Sequence, residues 1–147
     1  DLAVDIAREV RDMGGESGAL PLLVPLGAMA EQALRMVRDS LNAFIGSDVG
    51  LARTVLAMDD EVDRLDREVR AKATALIRED SVRADAALRL FSVSRHLERI
   101  ADHATNIAED LIYVSEGTII RHLREFGASP HPAGAAVPMG GRDGLHA

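Results

Sequence analysis

The sequence predicts an all-α protein, and three observations support this prediction. Hydrophobic residues make up 47% of the 147 residues but aromatic residues only 3%. A core of aliphatic side chains and Met suits helix-on-helix packing better than a sheet. Apolar residues recur at three- and four-residue spacing over three long stretches, and short turn signals separate these stretches. We therefore expect an antiparallel three-helix bundle in an up-down-up arrangement.

The first part of the chain is expected to hold the end of an earlier helix and a linker. Residues 1–13 have the pattern of the last turns of a helix, which Gly14 would end by adopting the left-handed conformation. Residues 14–21 form the expected linker, and Pro25 suits the start of the next helix. Because the chain begins within a helical pattern and without Met, we expect a fragment or a processed chain.

The bundle itself is expected over residues 22–127. Its first helix runs from about Leu23 to Ile45, and Gly46 and Asp48 provide a stop and a cap for the second helix. The apolar face of this first helix consists of Leu26, Met29, Ala33, Val37, Leu41 and Phe44. The inner face predicted for the second helix, residues 49–78, consists of Leu51, Val55, Met58, Val62, Leu65, Val69, Ala73 and Leu76.

The third helix is expected over residues 82–126, with Glu79, Asp80 and Ser81 closing the second helix and capping the third. Gly117 is a candidate kink or helix end, because Gly within a helix costs about 1 kcal/mol relative to Ala. From residue 128 the content of Pro, Gly, Ala and His rises. Residues 128–147 are therefore expected to form a disordered tail.

Charge and composition exclude several classes of function. The formal net charge is −7, and no basic face is present, which argues against nucleic-acid binding. The chain contains no Cys, so thiolate metal sites and disulfides are excluded. No apolar run is long enough to span a bilayer, so direct membrane insertion is not expected. Because phosphate-binding loops and nucleophile signatures are also missing, nothing in the sequence specifies an enzyme.

An acidic strip borders the apolar face predicted for the third helix, which consists of Leu97, Ile100, Ala101, Ala104, Ile107, Ala108 and Leu111. Glu98, Asp102, Asn106 and Glu109 lie together, since steps of four, eight and eleven residues rotate a helix by only about 40°, 80° and 20°. Like charges one turn apart repel each other, so this strip indicates either a bound cation or a solvated face whose acids nearby arginines offset.

The start of the chain repeats part of this pattern. Residues 1–8 align with residues 102–109, and both copies keep the first Asp, the Ala two residues later and an Ile-Ala pair. We interpret this as an internal repeat whose first copy is truncated. The surface that the missing part would cover is then exposed, and we expect self-association to a homo-oligomer, in the simplest case a homodimer.

A second acidic strip is predicted on the second helix at Asp59, Asp63 and Asp66. Adjacent antiparallel helices would let the two strips face each other across a groove. Clustered carboxylates without Cys form a hard-oxygen site suited to Mg, Mn, Ca or Fe ions, with Zn also compatible. A di-iron oxidase is disfavoured because no Glu has a His three residues later. His96 and His103 lie outside the strips and are interpreted as surface or partner contacts.

Three segments together resemble the PhoU family of phosphate-specific transport accessory proteins. They are the acidic strip with its arginines at residues 95–107, the stretch Asp59-x-x-Val62-Asp63-x-Leu65, and the repeat at residues 1–7. The resemblance covers residues 1–123. It implies two three-helix bundles in the complete family architecture, of which residues 1–13 would be the end of the first.

The resemblance also implies a function and a set of metal ligands. The family's metal-cluster motifs correspond to Asp59 and Asp63 on one helix and to Glu98 and Asp102 on the next, with Asn106 as a peripheral ligand. Such a protein is a cytoplasmic negative regulator that couples a phosphate ABC transporter, through its ATPase, to a sensor histidine kinase. The alternative is a purely structural helical interaction module without a specific metal.

Overall fold

The computed structural model describes residues 1–12, residue 20 and residues 23–125. Four α-helices account for most of this part of the chain: α1 (Leu2–Asp12), α2 (Leu23–Gly46), α3 (Val49–Glu79) and α4 (Ala84–Glu125). A 3-10 turn, Ser81–Arg83, joins α3 to α4. No strand occurs among the described residues, and the all-α prediction is confirmed.

Helices α2, α3 and α4 pack against one another pairwise as a three-helix bundle, and α1 packs against α4. An ion pair of 2.9 Å between Arg53 Nη2 and Glu116 Oε1 joins the start of α3 to the later part of α4. These two helices are therefore antiparallel. α1 is held to α4 by Ile6, which packs on the core, and by the ion pair between Glu9 and Arg89 at 3.3 Å.

The turn between α2 and α3 follows the expected chemistry with one shift. The Asp48 carboxylate accepts a hydrogen bond of 2.9 Å from the Leu51 N–H and caps α3. Gly46 still belongs to α2, and Ser47 adopts the left-handed conformation with φ of 52°. The stop thus comes one residue later than predicted.

Asp80 lies in the turn between α3 and α4 and is hydrogen-bonded to both sides of it. Its N–H donates to the Leu76 carbonyl at 2.9 Å, and its carboxylate accepts from the Val82 N–H at 3.0 Å. α4 does not end at Gly117, so that candidate helix end was wrong. A Cβ built on Gly117 meets nothing within 4 Å, which shows that no close packing requires glycine there.

The predicted inner faces of α3 and α4 are buried or partly buried as expected, but the face predicted for α2 was partly wrong. Leu41 and Phe44 are 47% and 58% exposed. Two adjacent apolar stripes run along α2, and the spacing of apolar residues alone does not distinguish them. The bundle buries the stripe that contains Met29, Ala33, Met36 and Ala43, each of which is fully buried. The residues of α2 that are buried are Pro25, Leu26, Met29, Ala33, Met36, Ser40 and Ala43.

The domain boundaries remain predictions. Of the predicted linker, residues 14–21, the structure describes Leu20, which is buried in the core. The predicted tail, residues 128–147, lies outside the described residues, as do His131 and His146.

Candidate metal-binding groove

The antiparallel pair α3 and α4 places two acidic strips beside a shared apolar core. Asp59 and Asp63 lie one turn apart on α3, and Glu98 and Asp102 lie one turn apart on α4. Asp59 and Glu98 are half-buried, whereas Asp63 and Asp102 are exposed. We call the surface formed by these four residues the acidic groove. Neighbouring side chains of both helices are buried in the core, namely Val62 and Leu65 of α3 and Leu97 and Ala101 of α4.

Acids of both helices act electrostatically on Asp59. Burial raises the pKa of Asp59 above its ordinary value, and the negative charges of Asp63, Asp102, Asp60 and Glu98 raise it further. Two of these four neighbours belong to α4, so the acids of one helix act on a carboxyl group of the other. Proximity of like charges disfavours ionisation, and a bound cation would relieve that cost.

The four acids differ in how their charges are compensated. Glu98 is paired with Arg95 of its own helix. The side chains of Asp59, Asp63 and Asp102 form no ion pair or hydrogen bond with another described residue. An arginine therefore compensates the charge of Glu98, as predicted. The other three carboxylates have no ion-pair partner among the described residues.

The acids are near enough to influence one another's ionisation, but they do not converge as the ligands of one metal ion. Among the described residues, no group of three or more His, Cys, Asp or Glu side chains converges closely enough to hold a metal ion. The donor set suits a hard cation in its chemistry, because it consists of carboxylate oxygens alone. Asn106, the peripheral ligand implied by the resemblance, is exposed one turn beyond Asp102. The ligand assignments stay a prediction.

Asp66, the third acid of the strip predicted on α3, has a different environment. It is 3% exposed and accepts hydrogen bonds from Ser94 Oγ at 3.0 Å and from Arg70 Nη2 at 2.8 Å. Arg70 also lies over the Phe91 ring, 5.8 Å from its centroid. Asp66 is thus a buried, compensated charge that ties α3 to α4. Ser94 was not among the residues predicted from the sequence, although it is in helical phase with Leu97 on the buried face of α4.

His96 and His103 of α4 differ in their exposure. His103 is exposed. His96 is half-buried, and its Nδ1 atom is buried without a hydrogen-bond partner in the described part of the chain.

The first copy of the predicted repeat, in α1, makes local contacts. Asp1 Oδ1 accepts a hydrogen bond of 3.1 Å from the Ala3 N–H at the start of the helix. Asp5 is paired with Arg8 at 3.3 Å. These two acids therefore belong to α1 itself and not to the acidic groove.

Comparison with known proteins gives a consistent result. The family model described as the PhoU domain matches residues 26–111. The chain is 32% identical to the phosphate-specific transport system accessory protein PhoU homolog 1 of Thermotoga maritima, over 86% of the chain and 53% of that relative. Corresponding homologs from Pseudomonas putida and Aquifex aeolicus are 34% and 41% identical, over 84% and 73% of the chain and 48% of each relative.

The chain thus spans about half the length of the curated relatives that it matches. Among the helices in the described ranges, none has the length and apolarity required to cross a membrane.

Proposed function

Because the chain belongs to the PhoU family, we propose that it is a regulatory adaptor of phosphate uptake and phosphate-starvation signalling. The observation that carries this proposal is the family match, which covers α3 and α4 up to residue 111 and therefore the whole acidic groove. The related proteins are named as accessory proteins of the phosphate-specific transport system. Their names support a role beside a transporter and not as the transporter itself.

In this proposal the protein acts in the cytoplasm as a negative regulator. It contacts the ATPase of a phosphate ABC transporter and a sensor histidine kinase, so that kinase output stays low while phosphate is available. The adaptor works by binding and not by catalysis. The absence of a nucleophile or phosphate-loop signature in the sequence supports this assignment.

We further propose that the acidic groove binds metal ions, with Asp59, Asp63, Glu98 and Asp102 as ligands and Asn106 at the periphery. Fe, Zn, Mn and Mg ions are the candidates, because oxygen donors select by geometry and availability. Three uncompensated carboxylates and the raised pKa of Asp59 support a cation at this position. The cation would supply charge neutralisation and would fix the spacing of α3 and α4.

A structural interaction module without a specific metal is the second candidate. It is favoured by the open arrangement of the acids, since no three metal-binding side chains converge among the described residues. In that case the acidic groove is a solvated, negatively charged face to which a partner protein binds without a metal ion.

The adaptor role can be tested with a reporter gene that phosphate starvation switches on. The reporter is placed in a bacterium from which its own PhoU-family gene has been deleted. The chain is expected to restore repression of the reporter at high phosphate. The double variant Asp63→Asn/Asp102→Asn is expected to lose repression, because it removes one carboxylate from each wall of the groove. The matched control is Glu61→Gln/Glu68→Gln, which removes two acids of α3 that lie outside the groove and pair with Arg64.

Reporter output that stays derepressed with the unaltered chain, at a protein level equal to that of a functional family member, would contradict the adaptor proposal. Equal repression by the groove variant and the control would be consistent with the adaptor role. It would show that the acids of the groove are not needed for repression.

A further inference from the structure

A small pocket lies between α3 and α4, near the end of α3 and the start of α4. We call it the arginine pocket. Its volume is about 160 Å³. Ile77 and Leu88, which are 36% and 54% exposed, form its apolar rim. The lining side chains, most of them apolar, are Arg70, Ala73, Thr74, Ile77, Leu88 and Phe91. None of the four acids of the acidic groove is among them, so the two features are separate.

The volume of the arginine pocket limits what it can hold. Pockets for cofactors and drug-sized molecules have volumes of about 300–1,000 Å³. An apolar cavity of about 150 Å³, by contrast, holds one benzene ring. The arginine pocket therefore has room for one aromatic side chain and not for a whole cofactor. An aromatic side chain that fills a pocket is a common anchor of a contact between two proteins.

The guanidinium group of Arg70 is held in place at this pocket. Its Nη2 atom donates to Asp66 Oδ2 at 2.8 Å, and its central carbon lies over the Phe91 ring, 5.8 Å from the centroid. The Arg70 side chain is nevertheless 56% exposed. Arginine has five N–H donors, so the bond through Nη2 leaves donors for a carboxylate of another molecule. Arg70 thus offers a fixed anion contact beside an apolar pocket.

A second positive charge lies one turn beyond the arginine pocket. Thr74 and Arg78 follow Arg70 on α3 at steps of four residues, and each step rotates the helix by only about 40°. Arg78 is exposed and forms no ion pair or hydrogen bond with another residue in the described ranges. The chain as a whole has a net charge of −7. An uncompensated arginine beside an apolar pocket is therefore a local exception in charge.

We propose that the arginine pocket binds an aromatic side chain of a partner protein, in a segment where carboxylates flank the aromatic residue. The ring enters between Ile77, Leu88 and Phe91, and the flanking carboxylates bind Arg70 and Arg78. This inference does not rest on the proposed function, because it concerns neither the acidic groove nor phosphate signalling.

Charge also determines where on α3 and α4 such a segment binds. The acidic groove carries uncompensated carboxylates at Asp59, Asp63 and Asp102, which repel an acidic segment. The arginine pocket lies further along the same two helices and attracts it. The pocket and the groove therefore select ligands of opposite charge.

A defined peptide tests this proposal, and NMR spectra of the isotope-labelled chain locate its site. The probe is Gly-Glu-Asp-Phe-Asp-Glu-Gly, with blocked ends. The amide signals of Thr74, Ile77 and Leu88 are expected to shift during the titration, whereas those of Asp63 and Asp102 are expected to stay in place.

Two altered peptides separate the contribution of the ring from that of the charges. The peptide with Ala in place of Phe is expected to bind at least about tenfold more weakly, because it leaves the pocket unfilled. The peptide with Asn and Gln in place of its acids is expected to bind at least about threefold more weakly at low salt, because it loses the attraction to the arginines.

Variants at exposed positions test the pocket without disturbing the core. Leu88→Glu places a carboxylate at the rim and is expected to raise the dissociation constant of the probe at least about tenfold. Arg78→Gln is expected to raise it about threefold. The matched controls on α2 are Leu34→Glu, at a position that is 62% exposed, and Arg38→Gln, which removes another arginine without an ion pair among the described residues. Both controls are expected to bind like the unaltered chain, and circular dichroism verifies equal helical content in all variants.

Several results would overturn the proposal. They are the absence of shifts at millimolar probe, equal affinity for the Phe and Ala peptides, and equal affinity of Leu88→Glu and Leu34→Glu for the probe. Free phenylpropionate provides the last comparison. If it bound as tightly as the probe, the pocket would be a site for a small aromatic acid and not for a partner segment.

Discussion

The hydrogen-bonded pair of Asp66 and Arg70 offers a sharp test of how the bundle is stabilised. Replacing Arg70 with Ala leaves the buried Asp66 carboxylate with Ser94 Oγ as its remaining side-chain partner. Breaking a fully buried ion pair costs about 3–5 kcal/mol. The Arg70 side chain is 56% exposed, so solvent screens part of this interaction. We expect Arg70→Ala to lower the free energy of unfolding by about 2–3 kcal/mol, including the lost contact with the Phe91 ring.

Arg64→Ala is the matched control on the same helix. Arg64 bridges Glu61 at 2.8 Å and Glu68 at 3.3 Å, and all three side chains are more than one third exposed. Exposed pairs of this kind contribute less than about 1 kcal/mol. Urea unfolding followed by circular dichroism measures both variants. For a domain of this size, the loss predicted for Arg70→Ala corresponds to a fall in Tm of roughly 10–20 °C.

A further variant separates charge burial from packing. Asp66→Leu/Arg70→Met replaces the pair with apolar side chains, which is often neutral or stabilising for a buried ion pair. We expect this double variant to recover most of the stability lost in Arg70→Ala. An Arg70→Ala protein no less stable than Arg64→Ala would refute the reasoning, because the buried carboxylate would then not depend on Arg70.

Three further predictions concern single positions. In the metal-free protein, the raised pKa of Asp59 means that its protonated form favours folding, and this contribution is lost as the pH rises through the folded pKa. Asp59→Asn should therefore stabilise the metal-free protein at pH 7 and leave its stability unchanged at pH 3, as measured by urea unfolding in the presence of chelator. Asp48→Ala removes the cap of α3 and should cost about 1 kcal/mol by the same method. Gly117→Ala should raise Tm through a gain of about 0.5–1 kcal/mol, since the added Cβ meets open space in a continuous helix; an unchanged or lower Tm would argue against a regular helix there.

The sequence predicted the number and order of the helices because local signals mark their ends. Asp48 and Asp80 are strong capping residues at tight turns, and the structure uses both as caps or turn residues. The meeting of the two acidic strips was also predictable, since consecutive antiparallel helices with short connections are neighbours. Burial raises the pKa of Asp59, and the charges of acids on both α3 and α4 raise it further.

The environment of individual side chains was harder to predict. Leu41 and Phe44 were assigned to the core because apolar spacing alone cannot choose between two adjacent stripes. The structure buries the stripe that contains Ala33 and Ala43 and leaves Leu41 and Phe44 exposed. Asp66 has the same spacing as the groove acids, yet its position against Ser94 of α4 makes it a buried structural charge.

The most direct test of the proposed metal site is the metal content of the purified protein. The chain and its variants are purified without chelator or affinity nickel and are analysed by plasma mass spectrometry. The unaltered chain and the control Glu61→Gln/Glu68→Gln should carry near-stoichiometric Fe, Zn, Mn or Mg, and Asp63→Asn/Asp102→Asn should carry little. Equal trace metal in all three proteins would contradict the metal site and would leave the acidic groove as a solvated face.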